Sequence, residues 1–421
     1  MPEEIKNKEE ETEKVEKFAI SSVSFLFFKS SNRILRQILL ITSISLIPLS
    51  VSVKAEELKG YMYLYGEVGA DYISDVEIPS LNKRGGNIAF SLGQFDILAK
   101  ISYGKAEGLI EIPMISTVEL PIWMNLWFER YYVGYNFHKL FSLKIGGTYG
   151  AMGYLSRNWH RGFYLMPTIR RPIVANAENE GGILPLYATG IEANGEASIG
   201  EFRPGYIFQV INGNYHFGSD DLIDYDRERT FLGKIYIRRY LEEIGISLGY
   251  DPFRISTKDS GKDSAKDNGK DSGSIYVQNF IAGLNLSYVK LDGLIALAEG
   301  FIIRDLQSKT QGGGGYLILS YRILEIGDFE FRPFLQFGFM DWQDGNPFFE
   351  ELNKGAEEVR KRYVNMGPGT VKHLEYAGGI RIGITPYFAF KIGFNYYDIK
   401  NEKDLYYISV RAGWGIPVFE R

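Results

Sequence analysis

The sequence contains no cysteine among its 421 residues. That absence excludes a disulfide scaffold, a cysteine nucleophile, thiolate metal sites and a lipidated cysteine anchor. Histidine is also scarce, because His138, His160, His216 and His373 stand in separate stretches without the spacing of metal ligands. The sequence therefore predicts no metal site and no cofactor.

A strong charge of either sign is missing as well. Lys and Arg total 47 while Asp and Glu total 52, which gives a formal net charge of −5. A small negative net charge does not indicate nucleic acid as a partner, because nucleic-acid-binding proteins usually carry a basic surface. Beyond residue 60, no apolar run approaches the roughly 20 residues that a membrane-spanning helix needs. Aromatic residues are abundant, with 29 Tyr and 28 Phe, which argues against disorder.

The N-terminal stretch has the pattern of an export signal. Arg33 and Arg36 precede a short apolar run over 38–53, and small residues close that run. A basic flank, a short apolar core and a small-x-small exit are typical of a cleaved secretory signal. We predict that residues 1–55 are a leader and signal peptide and that residues 56–421 form the mature protein.

An alternation with a period of two runs through the mature chain. In the segment 386–400, one face is aromatic or aliphatic and the other is mostly polar or small. Strict alternation of this kind predicts a half-buried β-strand. The residues of the apolar face in this segment are Phe388, Phe390, Ile392, Phe394 and Tyr396.

About sixteen such strands follow one another, an even number typical of transmembrane barrels. Most have about ten to fifteen residues, enough for a tilted strand to cross a bilayer. Short turns, for example at Tyr240-Leu241 and Lys290, alternate with mostly long loops, and the glycine run 312–315 is interpreted as a further turn. The fold class predicted is all-β: a transmembrane antiparallel β-barrel with short periplasmic turns and long extracellular loops.

One stretch carries a family resemblance. The strand from Phe141 to Gly147 runs into Tyr-Gly-Ala-Met-Gly-Tyr at 149–154. It is similar to the glycine-ended strand that enters the third long loop in Gram-negative outer-membrane porins of the sixteen-strand type, and the chain loosely resembles their phosphate-selective porin-like group. The resemblance implies an outer-membrane location, contact with lipid and lipopolysaccharide, a homotrimer as a common assembly, and passive diffusion of small hydrophilic solutes.

The stretch 150–182 interrupts the alternation and connects the predicted fifth and sixth strands. A loop of this length in a compact protein is usually functional, and its aromatic and aliphatic content argues against disorder. We predict that it folds into the barrel and narrows the lumen. The predicted constriction residues are Arg157, Arg161, Arg170 and Arg171.

The inner face of the predicted wall is expected to lean basic, against Glu330 and Glu375 as acidic residues. Charges along a channel favour solutes of opposite sign, so we predict a preference for small anionic solutes. The predicted pore-lining residues are Lys144, Lys234, Arg238, Arg332, Arg381, Lys391 and Arg411.

Other functions stay open on the sequence. A structural or adhesive barrel would have a blocked lumen, and a hydrophobic-substrate transporter would need an N-terminal plug, for which residues 56–60 are too short. An outer-membrane hydrolase is disfavoured because Ser156 lacks the upstream histidine motif of such enzymes, so no enzymatic activity and no catalytic residue is predicted.

The Lys-Asp repeats at 258–273 are interpreted as a solvated outer loop, and residues 350–362 as a short surface helix.

Overall fold

The computed structural model describes residues 58–73, 88–91, 94–115, 125–126, 128–159, 166–176, 182–212, 228–256, 274–353, 371–385, 387–400 and 404–420. The predicted signal peptide and the Lys-Asp repeats lie outside the described residues, as does part of the predicted constriction loop. No helix among the described residues is long and apolar enough to span a membrane.

Sixteen antiparallel strands form one sheet, and three of them are each interrupted once. The strands are β1 Leu58–Ile73, β2 Ile88–Ser91 with Gln94–Tyr103, β3 Ala106–Ile115, β4 Asn125–Leu126 with Arg130–His138, β5 Phe141–Tyr149, β6 Tyr187–Glu196, β7 Arg203–Asn212, β8 Arg229–Arg239, β9 Glu242–Ser256, β10 Ser274–Val289, β11 Leu294–Asp305, β12 Gln311–Tyr321 with Leu324–Ile326, β13 Phe329–Trp342, β14 His373–Thr385, β15 Phe388–Ile399 and β16 Leu405–Glu420.

The sheet is closed. Gly69 of β1 pairs with Ser91 of β2 on one side and with Arg411 of β16 on the other. Each remaining strand pairs with the strands that precede and follow it in the chain. Closure satisfies the backbone at membrane depth and removes exposed sheet edges. The prediction of an antiparallel barrel of about sixteen strands is confirmed.

The two faces of the wall differ in polarity as the alternation predicts. Along β9, Ile244 and Ile246 are about half exposed, at 51% and 50% of their surface, whereas Glu243 and Ser247 are buried on the opposite face. Apolar side chains therefore point outward and polar side chains inward. This distribution of side chains is the reverse of that in a soluble protein, and it suits a barrel surrounded by lipid.

Two sequence-based boundaries are wrong. The turn predicted at Asn136–His138 lies at 139–140, because β4 continues to His138. The glycine run 312–315 is not a turn but part of β12, paired with β11 and β13. A Cβ added at Gly314 would lie 2.6 Å from the carbonyl oxygen of Phe339 on β13 and 2.9 Å from Val174 of the long loop. Glycine at this position therefore makes room for a packed loop and does not reverse the chain.

A short helix at 347–353 follows β13. The Asn346 side-chain oxygen accepts hydrogen bonds from the backbone N–H groups of Phe348 and Phe349, at 3.1 and 3.3 Å, which is the contact of a helix N-cap. The helix predicted over 350–362 therefore begins three residues earlier, and residues 354–362 lie outside the described part of the chain.

Candidate functional site: the lumen and its loop

The long loop between β5 and β6 extends to residue 186, because β6 begins at Tyr187. Its described parts are almost completely buried, with Met152 at 1% and Leu155 at 0% exposure. Gly153 has a positive φ of 68°, and an added Cβ there would collide with the carboxylate of Glu299. The turn at Gly153 therefore requires a residue without a side chain.

The first half of the loop is held by Glu299 of β11 and Lys234 of β8. Oε1 of Glu299 accepts hydrogen bonds from the backbone N–H groups of Tyr154 at 2.5 Å and Leu155 at 2.8 Å. Lys234 Nζ donates to the carbonyl of Gly153. The hydroxyl of Tyr154 donates to the carbonyl of Leu241 at 2.9 Å, and burial raises the pKa of Tyr154 to about 12.

The second half of the loop is held by Glu375 of β14 and Lys391 of β15. Oε2 of Glu375 accepts a hydrogen bond from the backbone N–H of Ile173 at 3.2 Å, and Lys391 Nζ donates to the carbonyl of Thr168 at 3.0 Å. One acidic and one basic wall side chain therefore fix the backbone in each half of the loop.

The loop reaches opposite walls of the barrel. Arg157 pairs with Glu192 of β6 at 3.1 Å, whereas Ile173 contacts Glu375 of β14. Strands β6 and β14 are eight positions apart in a closed ring of sixteen. The described loop segments therefore contact the inner face on both sides of the lumen.

The four predicted constriction arginines do not form one cluster. Arg157 also donates to the carbonyl of Tyr149 at 2.5 Å. Arg170 pairs with Asp71 of β1 at 3.4 Å, and its guanidinium lies 4.5 Å from the centroid of the Tyr407 ring. Arg171 is buried, with 5% exposure. Arg161 lies outside the described residues.

All seven predicted pore-lining residues lie on the inner face, and register brings four of them into one row. Arg332 pairs directly with Arg381, Arg381 with Lys391, and Lys391 with Arg411, across β13 to β16. Like charges directly opposite one another destabilise a sheet. The row is offset by carboxylates, because Glu330 accepts a hydrogen bond from Arg381 and Asp71 accepts one from Arg411.

The remaining three lining residues also have acidic neighbours. Lys144 lies 3.8 Å from Glu107 and 3.6 Å from Glu192, and Glu243 lies 2.6 Å from Lys234 and 2.7 Å from Arg238. The inner face is therefore mixed in charge, and the expectation of a basic-leaning wall overlooked these carboxylates. The strand alternation was the signal that could have found them, since they share the inward parity of their strands.

Exposure within these ion pairs is uneven. The side chain of Arg238 is 28% exposed and that of Glu243 is 0% exposed. Lys144 is 20% exposed against 2% for Glu192, and Arg170 is 14% exposed against 0% for Asp71. The two pairs made by Glu330 are the reverse, and Lys234 is as buried as its partner. In the pairs of Arg411 with Glu67 and of Arg238 with Glu196 the carboxylate is slightly the more exposed group, at 15% against 12% and 30% against 28%. The cation is the more exposed group where Lys144 or Arg157 pairs with Glu192, Arg170 or Arg411 with Asp71, and Arg238 with Glu243.

One sector of the interior is apolar. Inward side chains of β9 to β12 pack against Phe348 and Phe349 of the short helix, which are completely buried, and against the long loop. The protein's own side chains fill this sector, so the exposed polar groups lie elsewhere. The inward apolar residues of these strands include Phe253, Ile281, Phe301, Ile303 and Ile318.

Metal-ligand clusters and the hydroxyl of Ser156 bear on catalysis within the described part of the chain. The described residues contain no group of three His, Asp or Glu able to hold a metal ion. The hydroxyl of Ser156 is buried, and no described residue forms a hydrogen bond with it.

No family model matches the sequence, and no curated protein matches it. Solved structures do resemble the fold. An anion-selective porin from Comamonas acidovorans covers 86% of this chain and 100% of its own, with a TM-score of 0.54 and 9% identity. The outer-membrane channel DcaP of Acinetobacter baumannii covers 86% of this chain and 99% of its own, with a TM-score of 0.51 and 11% identity. The closed sheet, its apolar exterior and these likenesses show that the chain has the β-barrel fold of the outer-membrane porins.

Proposed function

We propose that the protein is a water-filled channel for passive diffusion of small hydrophilic solutes across the outer membrane, with a preference for anions. The observation that carries the preference is the uneven exposure within the ion pairs of the lumen. The carboxylates of Glu192, Glu243 and Asp71 are at most 2% exposed, whereas Lys144, Arg238 and Arg170, which pair with them, are 20%, 28% and 14% exposed.

A permeating solute interacts most strongly with the charges that it approaches most closely. Exposed charges separated by more than a Debye length, about 10 Å at 0.1 M salt, are largely screened from one another. A basic inner surface therefore attracts anions even where the wall as a whole is mixed in charge.

The long loop supplies the constriction in this proposal. Arg157 and Lys144 share Glu192, one from the loop and one from β5, so that two cations with 17% and 20% exposed side chains surround a single buried carboxylate. We assign the narrowest and most basic part of the passage to this place. The apolar sector gives no support to a hydrophobic-substrate transporter, because the protein's own side chains fill it.

The test is the reversal potential of single channels in planar bilayers under a potassium chloride gradient. A unit charge about 10 Å from an ion in water changes its energy by about 0.4 kcal/mol, with opposite sign for anion and cation. Salt at 0.1 M reduces this energy to about 0.15 kcal/mol at that distance, so removing one charge should lower the anion-to-cation permeability ratio by about 1.7-fold. Lys144→Gln is the informative variant. Arg239→Gln is the matched control, since Arg239 is 46% exposed at the end of β8 and pairs with Glu201.

The expected result is anion preference in the unmodified protein, weakened by Lys144→Gln and unchanged by Arg239→Gln. Cation preference would overturn the selectivity, and a folded protein that never conducts would favour the structural or adhesive barrel. Contact with lipopolysaccharide and assembly into a homotrimer remain predictions, and chemical cross-linking in native outer membranes checks the trimer.

A further inference from the structure

Three tyrosines form a ladder on one face of β1. The rings of Tyr61 and Tyr63 have centroids 5.4 Å apart in an edge-on arrangement, and those of Tyr63 and Tyr65 are stacked at 6.0 Å with an interplanar angle of 10°. We call these three residues the tyrosine track. Each of them is half-buried, so part of each ring is accessible.

The track faces the lumen. Side chains alternate along a strand, and Tyr65 shares its parity with Glu67 and Asp71, which pair with Arg411 inside the barrel. The pairing of β1 with β16 shifts register between Met62 and Tyr63 by skipping a residue of β16. The alternation along β1 is therefore intact from Tyr61 to Asp71.

Membrane anchoring does not account for these rings. Aromatic girdles of barrels lie on the outer face, at the level of the lipid head groups, whereas the track points the other way. The partners of Tyr65 and Glu67 on β16 are Gly415 and Gly413. The residue of β16 opposite Tyr65 is therefore small, while Pro417 lies opposite Tyr63 and Glu420 opposite Tyr61.

Hydrogen-bonding groups stand on the strands that follow. Lys100 of β2 pairs with Glu107 of β3 at 2.8 Å, and Lys144 of β5 lies 4.8 Å from the centroid of the Tyr132 ring. The sector from β1 to β5 thus combines inward aromatic faces with charged donors and acceptors.

We propose that the tyrosine track binds saccharides as they pass through the channel. A sugar ring has an apolar face of C–H groups and a rim of hydroxyl groups. The positive C–H edge is attracted to the negative face of an aromatic ring. The sugar hydroxyl groups would form hydrogen bonds with polar side chains such as Lys100 and Glu107. Orientation by a few placed polar groups beside apolar surface is the usual pattern of a small-molecule site.

The geometry favours a chain of sugars over a single one. Four residues separate Tyr61 from Tyr65, so the track is about 13 Å long at the usual rise of a strand. Tyr65 is six residues, or about 20 Å, from Asp71, where the long loop contacts β1. The track therefore lies on the side of the short turns, and an oligosaccharide of two or more units would touch more than one ring.

The test, which rests on the proposed channel, is the interruption of single-channel current by maltose, maltotriose and maltohexaose. We expect the apparent affinity to rise with chain length in the unmodified protein. Tyr63→Ala removes the central ring and should weaken maltohexaose binding about tenfold, whereas Tyr63→Phe should retain most of the affinity. Tyr72→Ala is the matched control, because Tyr72 lies on the same strand and its ring packs on Tyr406 on the outer face.

Equal block of the unmodified protein and Tyr63→Ala, or no block of a conducting channel, would overturn the saccharide site while leaving the channel intact. A protein that does not conduct would refute the channel instead. In that case, calorimetric titration of the folded protein in detergent with maltohexaose still decides the binding, and an absence of binding heat there would refute the tyrosine track.

Discussion

Glu299 should hold the long loop inside the barrel, and Glu299→Ala should release its first half. The carboxylate is 5% exposed and accepts backbone hydrogen bonds from Tyr154 and Leu155, and neither donor can reach bulk water in the docked loop. An unsatisfied buried donor costs about 1–3 kcal/mol, so losing both costs about 2–6 kcal/mol. That shifts the balance between docked and released loop by a factor of about 30 to about 2 × 10⁴.

The assay is single-channel conductance in planar bilayers, after a gel-mobility check that the barrel is folded. Release of the loop should widen the passage, so the conductance of Glu299→Ala should rise and its current should become noisier. Glu299→Gln should have a smaller effect, because the amide oxygen still accepts a hydrogen bond although its charge is lost.

The matched control is Asp305→Ala. Asp305 is also a buried acid on β11, but its carboxylate accepts backbone hydrogen bonds from Gln278 and Ser308 near the next turn, not from the long loop. Its loss should leave the conductance unchanged. A folded Glu299→Ala barrel with unmodified conductance would refute the assignment of Glu299 as the loop anchor.

Two further predictions concern packing and the lipid-facing surface. Gly314→Val should lower the free energy of unfolding in urea by about 1–3 kcal/mol, because the new side chain meets the Phe339 carbonyl of β13 and Val174 of the loop. Gly300→Val, with open space at its Cβ, should cost less, and equal losses would contradict this packing. Leu284→Arg places a charge on a side chain that is 56% exposed to lipid and should cost about 2–4 kcal/mol near the bilayer centre. Leu294→Arg, beside a short turn, should cost about 0–1 kcal/mol, and a reversed order would refute the placement of the barrel in the bilayer.

The strands were predictable because lipid imposes a strict rule on each residue. An outward side chain must be apolar, so Phe390 and Ile392 of β15 alternate with inward Ala389 and Lys391, and the pattern is visible in the sequence. The same parity placed all seven lining cations on the inner face. The rule is less informative where glycine replaces a side chain, which explains the wrong interpretation of 312–315.

The contacts of the site were not predictable in the same way. The row of Arg332, Arg381, Lys391 and Arg411 depends on the register of four strands, and register is set by closure of the entire sheet. Which member of an ion pair is exposed depends on how deeply each side chain packs. Neither quantity is encoded in the spacing of residues along one strand.

The sequence by itself determined the barrel, its strand alternation and the place where the long loop leaves the wall, because each depends on local periodicity and its interruption. Only the tertiary structure decided how that loop is held. Its anchors, Glu299 and Glu375, stand 145 residues from Tyr154 and 202 residues from Ile173. Partners so distant in sequence meet only when the sheet closes, since closure alone brings opposite walls within reach of one loop.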